Sequence, residues 1–386
     1  MKHICIVAGT LNDYLILTPL IKEIQKDRSM ILTVISTDHH QSPEMEIAYR
    51  RLEEEGFLSD EQTDIIFKSK QMPMRLCPAD FKQLEYKHLF RRLAPDIIVL
   101  CGNSYETLSA AINASLYDIP MAHIQGGESG FRTWDDAYGY GITKLAHLHF
   151  TSTEEYRDQV LGFGEHPQRI FNVGSLLTEQ IKNLPFTKDS VFYNETGLGP
   201  ADDFLFINFQ PDSDLGSKNS CIFETLLNTL TDPLLSKYQL LFNTPEERGL
   251  GKIISRMIEQ FCHHYPNRTV VRSAMNLTDI SHAIKYCSAV IGNSPEAFVM
   301  APTFKKPVIN LGTRQQDCTR TINIIDCGPD THEIMIAIQN GLSATFNFKI
   351  QQMQSPFDQP STARKIREIL NAFNRSDIST KAYFRC

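Results

Sequence analysis

The segment Met121 to Thr151 (MAHIQGGESGFRTWDDAYGYGITKLAHLHFT) holds the densest group of side chains able to move protons. It combines a Gly-Gly turn with three carboxylates and three histidines. Carboxylates and imidazoles together suit general acid–base catalysis near neutral pH. The segment therefore predicts a polar site in which Glu128, Asp135 and His123 could act on a substrate.

Each ionisable residue of this segment also has a structural interpretation. Asp135 precedes AYGYGITK and fits a carboxylate at a helix N-terminus as well as it fits an acid or base. Glu128 could orient the glycine turn or contact a substrate. Lys144 and His147 fit packing or surface positions on a helix, and His149 fits a partly buried strand residue with its own partner.

Apolar runs followed by glycine or polar turns predict the sheet that positions this segment. Predicted strands cover 3–8, 30–37, 97–101 and 120–124, with helices at 13–26 and 106–116 between them. Continuous apolar strands that alternate with helices indicate a parallel sheet covered on both faces. Such sheets bind ligands at the carboxyl ends of their strands, where this sequence places its polar turns.

A second series of the same kind follows Pro185. Its predicted strands cover 204–208, 240–243, 269–272, 289–291 and 307–311, with helices at 252–264 and 279–286. The Gly- and Pro-containing stretch 182–203 marks the boundary between the two series. We predict an N-terminal domain (1–185), a C-terminal nucleotide-sugar domain (186–362), and a final helix and tail (363–386) that pack back on the first domain.

Composition limits the possible functions. The net charge of −7 over 386 residues argues against a nucleic-acid partner, which would select a basic surface. Nine scattered cysteines without a C-x-x-C pair predict neither a zinc site nor a redox dithiol, and they fit a reducing compartment. The sequence shows no signal peptide and no apolar run of about 18 residues. We expect a cytoplasmic protein without a membrane partner, a cofactor or a metal.

Three blocks of the sequence resemble the hydrolysing UDP-N-acetylglucosamine 2-epimerase family. They are Gly9 to Ile24, the central segment with its continuation to Tyr156, and Val290 to Asp326. The resemblance implies an α/β fold of two Rossmann-like domains with parallel sheets, in a glycosyltransferase-B-like arrangement with an interdomain cleft. It also implies a nucleotide-sugar or sugar ligand and a homo-oligomer, either a dimer or a tetramer.

The resemblance assigns roles to individual residues. Catalytic roles fall to Asp135, Glu128 and His123. Substrate-binding roles fall to Asn103, Gln125, Gln210, Asp136, His40 and Lys144. Nucleotide-binding roles fall to Gly9, Thr10, Gly292, Asn293, Ser294, Arg314 and Gln315.

The sequence departs from the family pattern where charge matters most. Amides replace the expected Asp, Glu or His at Asn103, Gln125 and Gln210, which keeps hydrogen bonding but removes proton transfer. Leu11 stands where the family has a phosphate-facing Arg, and Gly139-Tyr140 stand where it has an Arg-His pair. Pro295-Glu296-Ala297 stand where the family continues with serines and a Gly, and Met300 stands where it has a ribose-binding Glu.

Two readings of function follow from these departures. One is a divergent hydrolysing epimerase that releases UDP and an N-acetylmannosamine-type sugar. The alternative is a catalytically inactive homologue that acts as a sugar-binding, regulatory or hetero-oligomeric partner. A glycosyltransferase is a third possibility, because the scaffold is shared, but no motif favours it.

Overall fold

The computed structural model describes residues 1–8, 11–36, 63–66, 78–128, 134–184, 192, 196–198, 203–212, 215–216, 218–245, 249–273 and 275–374. The described chain divides into two compact units. Unit 1 comprises the described residues up to 128, residues 134–180 and residues 359–374. Unit 2 comprises the described residues of 181–358.

Unit 1 contains a seven-stranded sheet in which every neighbouring pair of strands is parallel. The order across the sheet is β3-β2-β1-β4-β5-β6-β7. The strands are β1 (Lys2–Ala8), β2 (Met30–Ser36), β3 (Thr63–Ile66), β4 (Ile97–Cys101), β5 (Met121–Ile124), β6 (Leu148–Thr151) and β7 (Ile170–Asn172).

Unit 2 contains a six-stranded parallel sheet of the same topology. Its order is β10-β9-β8-β11-β12-β13. The strands are β8 (Phe204–Asn208), β9 (Gln239–Thr244), β10 (Thr269–Ser273), β11 (Ala289–Gly292), β12 (Val308–Leu311) and β13 (Ile324–Cys327).

Helices connect the strands and cover the sheets. In chain order they are α1 (Leu11–Gln25), α2 (Pro78–Leu93), α3 (Tyr105–Ser115), α4 (Trp134–Leu145), α5 (Glu154–Gly162), α6 (Leu176–Lys182), α7 (Lys218–Leu230), α8 (Leu250–His264), α9 (Leu277–Tyr286), α10 (Pro295–Phe304), α11 (Thr331–Leu342), α12 (Ala344–Gln351) and α13 (Thr362–Ala372). Side-chain caps fix several starts: Ser104 accepts from the Thr107 N–H and Thr153 from the Tyr156 N–H.

The period of two in β1 divides the core of unit 1 into two layers. Ile4 and Ile6 join the cluster under α1 and α13, whereas Cys5 and Val7 face the cluster under α2 and α3. All four side chains are fully buried. This explains why the strand reads as a continuous apolar run, as expected for a parallel sheet with helices on both faces.

The last helix, α13, packs on α1 of unit 1. Ile366 and Leu370 enter the core cluster beneath it, and Arg367 forms a 2.7 Å ion pair with Asp27. The Lys2 ammonium donates to the last carbonyl groups of α13, including that of Leu370 at 3.0 Å. A cation at a helix C-terminus is favourable because carbonyl oxygens there have no partner within the helix.

Both sheets reverse their strand order next to their first strand. In unit 1 this point lies between β1 and β4, and in unit 2 between β8 and β11. Ligands of doubly wound sheets bind beyond the carboxyl ends of the strands at such a point. The apolar runs of the sequence predict the central strands β1, β4, β8 and β11. They do not predict β3, β7 and β13, which are short and lie at the sheet edges.

Candidate functional site

The turns after β4 and β5 give unit 1 its polar edge. Gly102 has a φ of 72° and Gly127 a φ of 80°, both in the left-handed region that favours glycine. A Cβ on Gly127 would lie 2.5 Å from the carbonyl oxygen of Tyr156, so the turn passes directly against α5. Gln125 adopts a φ of 65° with a full side chain, a conformation that residues other than glycine seldom adopt.

Glu128 follows this turn and is held by two hydrogen bonds. The Ser152 hydroxyl donates to Oε1 at 2.6 Å, and the Gln125 amide donates to Oε2 at 3.2 Å. Burial raises the pKa of Glu128 to about 7, although both hydrogen bonds favour the ionised form. A carboxyl group with this pKa can give or take a proton at neutral pH.

Gln125 links Glu128 to two further groups. Its side-chain oxygen accepts from the Cys101 thiol at 3.3 Å. Burial raises the pKa of that thiol well above its ordinary value, and the charges of Asp13 and Glu128 add to the rise. Cys101 therefore stays a neutral thiol. We call Asp13, Cys101, Gln125, Glu128 and Ser152 the carboxylate cluster.

His123 connects the same edge to α4. Its Nε2 lies 2.8 Å from the Gly102 carbonyl oxygen, and its Nδ1 lies 3.1 Å from the Thr143 hydroxyl. In a neutral ring the proton therefore sits on Nε2, because a carbonyl oxygen can only accept. Both contacts tie α4 to the turn after β4, so the described contacts of His123 favour a positioning role.

The α4 helix approaches Asn103 closely. A Cβ on Gly139 would lie 3.0 Å from the Cβ of Asn103, and the absence of a side chain at 139 permits this approach. Asn103 and Asp136 are both half-buried on this side of unit 1. Asp135 lies in the first turn of α4, and its side chain is outside the described part of the structure.

Lys144 lies near the other end of α4 and makes different contacts. Its ammonium group lies 2.6 Å from the buried Glu165 carboxylate and 3.1 Å from the Phe163 carbonyl oxygen. Glu165 also contacts the fully buried ring of His149 at 3.2 Å. These contacts favour a structural role for Lys144, and His149 has the buried, partnered environment expected of it.

Unit 2 presents amides at the equivalent edge. The Asn208 amide donates to the Ser294 hydroxyl oxygen at 2.9 Å, and the Asn243 amide donates to the Asn208 side-chain oxygen at 3.2 Å. The Asn243 side-chain oxygen in turn accepts from the Met275 N–H at 3.2 Å. Asn208, Asn243 and Ser294 are all buried.

A second set of amide contacts fixes the turn between β11 and α10. Asn293 exchanges two hydrogen bonds with the backbone of Gln210, of 2.7 Å and 2.9 Å. Arg314 and Gln315 both donate to the Asn293 carbonyl oxygen, at 3.1 Å and 3.0 Å. We call Asn208, Gln210, Asn243, Asn293, Ser294 and Gln315 the amide cluster.

Gly292 permits the amide cluster to form. Its φ is 146°, and a Cβ there would lie 2.0 Å from the Asn208 carbonyl oxygen. The turn then opens α10, whose N-cap residue, Ser294, makes no side-chain capping bond within the helix. α10 therefore begins directly beyond the carboxyl end of β11, a place where helix N-termini commonly bind anions.

The first turn of α10 carries features that disfavour anions. Pro295 removes one N–H donor from the first turn of α10, and Glu296 adds a negative charge there. Arg320 pairs with Asp326 at 3.1 Å and lies over the Phe298 ring. Met300 is fully buried and accepts from the Ser281 hydroxyl at 3.6 Å, so it belongs to the core.

The structure thus collects the predicted residues into two groups. Glu128, His123, Gln125 and Asn103 lie at the edge of unit 1, and Gln210, Gly292, Asn293, Ser294, Arg314 and Gln315 lie at the edge of unit 2. His40, Gly9 and Thr10 lie outside the described residues. The contacts of Ser152 and Asn208 were not predicted from the sequence. Ser152 directly follows β6 and Asn208 ends β8, and a polar residue at the end of an apolar strand is the one sequence feature that marks either of them.

No group of three or more His, Cys, Asp or Glu side chains in the described parts of the chain is arranged to hold a metal ion. No described helix combines the length and apolar character needed to cross a membrane.

Comparisons with known proteins give consistent matches. Residues 22–371 match the family described as UDP-N-acetylglucosamine 2-epimerase. A protein of Campylobacter jejuni named GDP/UDP-N,N'-diacetylbacillosamine 2-epimerase (hydrolyzing) is 32% identical over 336 residues, which cover 84% of each chain. Polysialic acid biosynthesis protein P7 of Escherichia coli is 27% identical over 383 residues, covering 97% of this chain and 95% of that protein.

Solved structures match over nearly the whole chain. UDP-GlcNAc 2-epimerase from Neisseria meningitidis, bound to UDP-GlcNAc, matches with a TM-score of 0.78 at 16% identity and covers 96% of this chain and 100% of that one. The Methanocaldococcus jannaschii enzyme in complex with UDP-GlcNAc and UDP gives 0.76 at 18% identity, over 96% and 99%. The predicted fold class, two Rossmann-like units of the glycosyltransferase-B-like type, is confirmed.

Proposed function

The chain belongs to the UDP-N-acetylglucosamine 2-epimerase family, and from this premise we propose that it is a hydrolysing 2-epimerase of a nucleotide-linked 2-acetamido sugar. It would release the nucleoside diphosphate, UDP in the first instance, and the sugar inverted at C2. The single observation that carries the proposal is the raised pKa of Glu128, about 7. This carboxyl group lies at the edge of the unit 1 sheet formed by the carboxyl ends of its strands. The Campylobacter relative favours a diacetamido sugar as substrate.

Inversion at C2 with loss of the diphosphate divides into two half-reactions. In the elimination, a base takes the C2 proton, the C2–H electron pair becomes the C1=C2 double bond, and the diphosphate leaves with the C1–O pair. In the hydration, water bonds to C1. C2 receives a proton on the face opposite to the one that lost its proton in the elimination. The water proton returns to the donor, and the proton taken from C2 passes to solvent.

We assign the proton donor of the hydration to Glu128. Burial keeps much of this group protonated near neutral pH, and Ser152 and Gln125 fix its direction. Asp135 remains a proposed acid or base from α4. Asn103, Gln125 and Asp136 are proposed to bind sugar hydroxyl and acetamido groups, and His123 to position the turn after β4 through Gly102.

Unit 2 is proposed to bind the diphosphate mainly through hydrogen-bond donors, with few positively charged side chains. Backbone N–H groups of the first turn of α10, the Ser294 hydroxyl and the Arg314 guanidinium are its donors. The amide cluster keeps the turn at Gly292 in place. Homo-oligomerisation and a cytoplasmic location stay predictions, and light scattering of the purified protein would measure the former.

The non-catalytic alternative is not favoured. Glu128, whose pKa of about 7 keeps it partly protonated at neutral pH, supports turnover. The 32% sequence identity to a protein named as a hydrolysing epimerase supports it as well. Amides at Asn103, Gln125 and Gln210 remove three ionisable groups, but they leave the proposed donor in place.

The test is a joint phosphorus and proton NMR time course. Wild-type protein is incubated with UDP-N,N'-diacetylbacillosamine or with UDP-GlcNAc, and free UDP and the released sugar are followed. Glu128→Gln should lower formation of the inverted sugar about 100-fold or more and leave the unsaturated C1=C2 sugar as the product beside UDP. Glu155→Gln, an exposed position on α5, is the matched control and should behave as wild type.

Two results would contradict the proposal. Wild-type protein that releases no UDP from either substrate would remove the epimerase function. Glu128→Gln that forms the inverted sugar at the wild-type rate would remove Glu128 as the donor.

A further inference from the structure

Inversion at C2 needs two proton-handling groups, one on each face of the sugar. The face that loses the C2 proton in the elimination is opposite to the face that gains one in the hydration. A single fixed carboxyl group cannot reach both faces. Because Glu128 is the proposed donor, the elimination requires a second group that acts as its base, and this requirement rests on the proposed function.

Asp13 lies in the first turn of α1, directly beyond the carboxyl end of β1. Its Oδ1 lies 3.4 Å from the point where a Cβ on Gly102 would sit, and Gln125 Oε1 lies 3.8 Å from the same point. The missing side chain of Gly102 therefore leaves a space that the Asp13 carboxylate and the Gln125 amide border together. That space is at the switch point between β1 and β4.

A second observation links Asp13 to Glu128 through Gln125 and Cys101. Both carboxylates act electrostatically on the Cys101 thiol, which also donates to Gln125. Gln125 connects the two carboxyl groups, because its side-chain oxygen borders the space at Gly102 together with Asp13 and its amide donates to Glu128. Their surroundings differ: Glu128 is half-buried and accepts from two donors, whereas Asp13 lies in a helix N-terminal turn that favours negative charge.

We propose that Asp13 is a catalytic carboxylate of this chain, the base that takes the C2 proton in the elimination while Glu128 donates the proton of the hydration. The C2–H bond breaks and an O–H bond forms on Asp13. The C–H electron pair becomes the C1=C2 double bond, and the nucleoside diphosphate leaves with the C1–O pair. Asp13 returns its proton to solvent, which matches the one proton that hydrolysis of a nucleotide sugar releases.

A crossed assay of the two half-reactions tests this assignment in the full-length protein. Elimination is measured as UDP release from the nucleotide sugar. Hydration is measured separately by supplying the unsaturated C1=C2 sugar together with UDP. Asp13→Asn should lose about 100-fold or more of the elimination and retain the hydration, whereas Glu128→Gln should show the reverse.

Three variants complete the design. Asp13→Glu keeps the carboxylate and should restore part of the elimination rate. Asp158→Asn changes a side chain that is 70% exposed on α5, and it should leave both half-reactions at wild-type rates. Asp135→Asn tests the competing carboxylate of α4 in the same two assays.

The outcomes separate this inference from the function on which it rests. If Asp13→Asn lowers both half-reactions together with the melting temperature, or changes neither, Asp13 is not the base. If Asp135→Asn alone abolishes elimination, the base belongs to α4 and the inference is overturned. An inactive wild-type protein would instead overturn the proposed function, and the assignment would fall with it.

Discussion

The carboxylate cluster of unit 1 and the amide cluster of unit 2 occupy equivalent edges of two sheets with the same topology. In unit 1, the Asp13 carboxylate borders the space at Gly102, Glu128 accepts from Ser152 and Gln125, and burial raises the pKa of Glu128 to about 7. In unit 2, Asn208, Asn243 and Asn293 are buried and bonded to one another or to the backbone. The Glu128 carboxyl group can exchange a proton near neutral pH, whereas the buried amide side chains of unit 2 carry no charge.

The difference teaches where each kind of polar group is useful. A neutral amide can be buried at little cost when each of its atoms has a partner, so it fixes backbone geometry without a field of its own. A buried carboxyl group changes its proton affinity instead, which is what proton transfer needs. The same sheet topology can therefore serve proton transfer in unit 1 and ligand binding in unit 2.

The largest effect is expected at the turn that builds the amide cluster. Gly292→Ala would place a Cβ 2.0 Å from the Asn208 carbonyl oxygen, across the β8–β11 pairing. Relief requires separation of two central strands, so we expect a loss of at least about 4 kcal/mol in the free energy of unfolding. Urea unfolding followed by circular dichroism measures it. Gly162→Ala is the control, because a Cβ there meets open space, and it should be neutral or slightly stabilising. Equal free energies of unfolding for the two variants would refute the close approach of Gly292 to Asn208.

A new carboxylate should be tolerated at one edge and not at the other. Asn293→Asp removes the donor to the Gln210 carbonyl and buries a charge, which should cost roughly 3 kcal/mol or more. Gln125→Glu places a second carboxyl group beside Glu128, where the pair can share a proton, so the cost should be about 1 kcal/mol below pH 7. Unfolding midpoints of both variants decide this, and a larger loss at Gln125 would break the comparison.

The protonation state of Glu128 should determine how the rate of sugar formation depends on pH. As the donor it acts when protonated, so the rate of sugar formation should fall as pH rises through about 7. Ser152→Ala removes a hydrogen bond that favours the ionised form, so the pKa of Glu128 rises and the fall moves to higher pH. Ser115→Ala, on the exposed end of α3, should leave the profile unchanged. A fall at the same pH in Ser152→Ala would show that another group controls it.

The same pKa gives a stability signature with a defined sign. The folded chain keeps the Glu128 proton up to pH of about 7, while the unfolded chain releases it near the ordinary value of 4.5. The free energy of unfolding therefore falls from pH 4.5 to about 7 because of this group, by on the order of 3 kcal/mol in all. Glu128→Gln should remove that slope in urea titrations over this pH range.

The sequence carried most of the fold because its signals are local. The apolar run in β1 and the glycine turns at Gly102 and Gly292 locate the strand ends that line both edges. Glu128 could be identified for a related reason: it directly follows a glycine turn at the end of β5. Such features depend on neighbours in sequence, and therefore they can be read without a structure.

The partners of these residues could not be read, because they come from distant parts of the chain. Ser152 is 24 residues from Glu128, and Asn293 is 83 residues from Gln210. Lys144 was predicted to bind substrate, and its described partner is Glu165, 21 residues away, which only the packing of α4 against the α5–β7 loop brings near. The pKa of Glu128 depends on burial and cannot be inferred from residue type.

The smallest expected effect concerns the neutral character of the unit 2 edge. Pro295→Ser with Glu296→Ser restores one N–H donor and removes one negative charge at the first turn of α10. Each change is worth about 0.3–1 kcal/mol at a helix N-terminus, so UDP should bind roughly 3- to 30-fold more tightly, and less so in high salt. Titration calorimetry at two salt concentrations measures the gain.

Glu333→Ser is the matched control, since it removes the same charge from the first turn of α11. It should leave UDP affinity unchanged. A gain in the control would mean that the net charge of unit 2 governs binding. If the double variant binds UDP no better than wild type, anion binding does not use the N-terminus of α10, and the carboxylate cluster would have to act on a substrate held elsewhere in the chain.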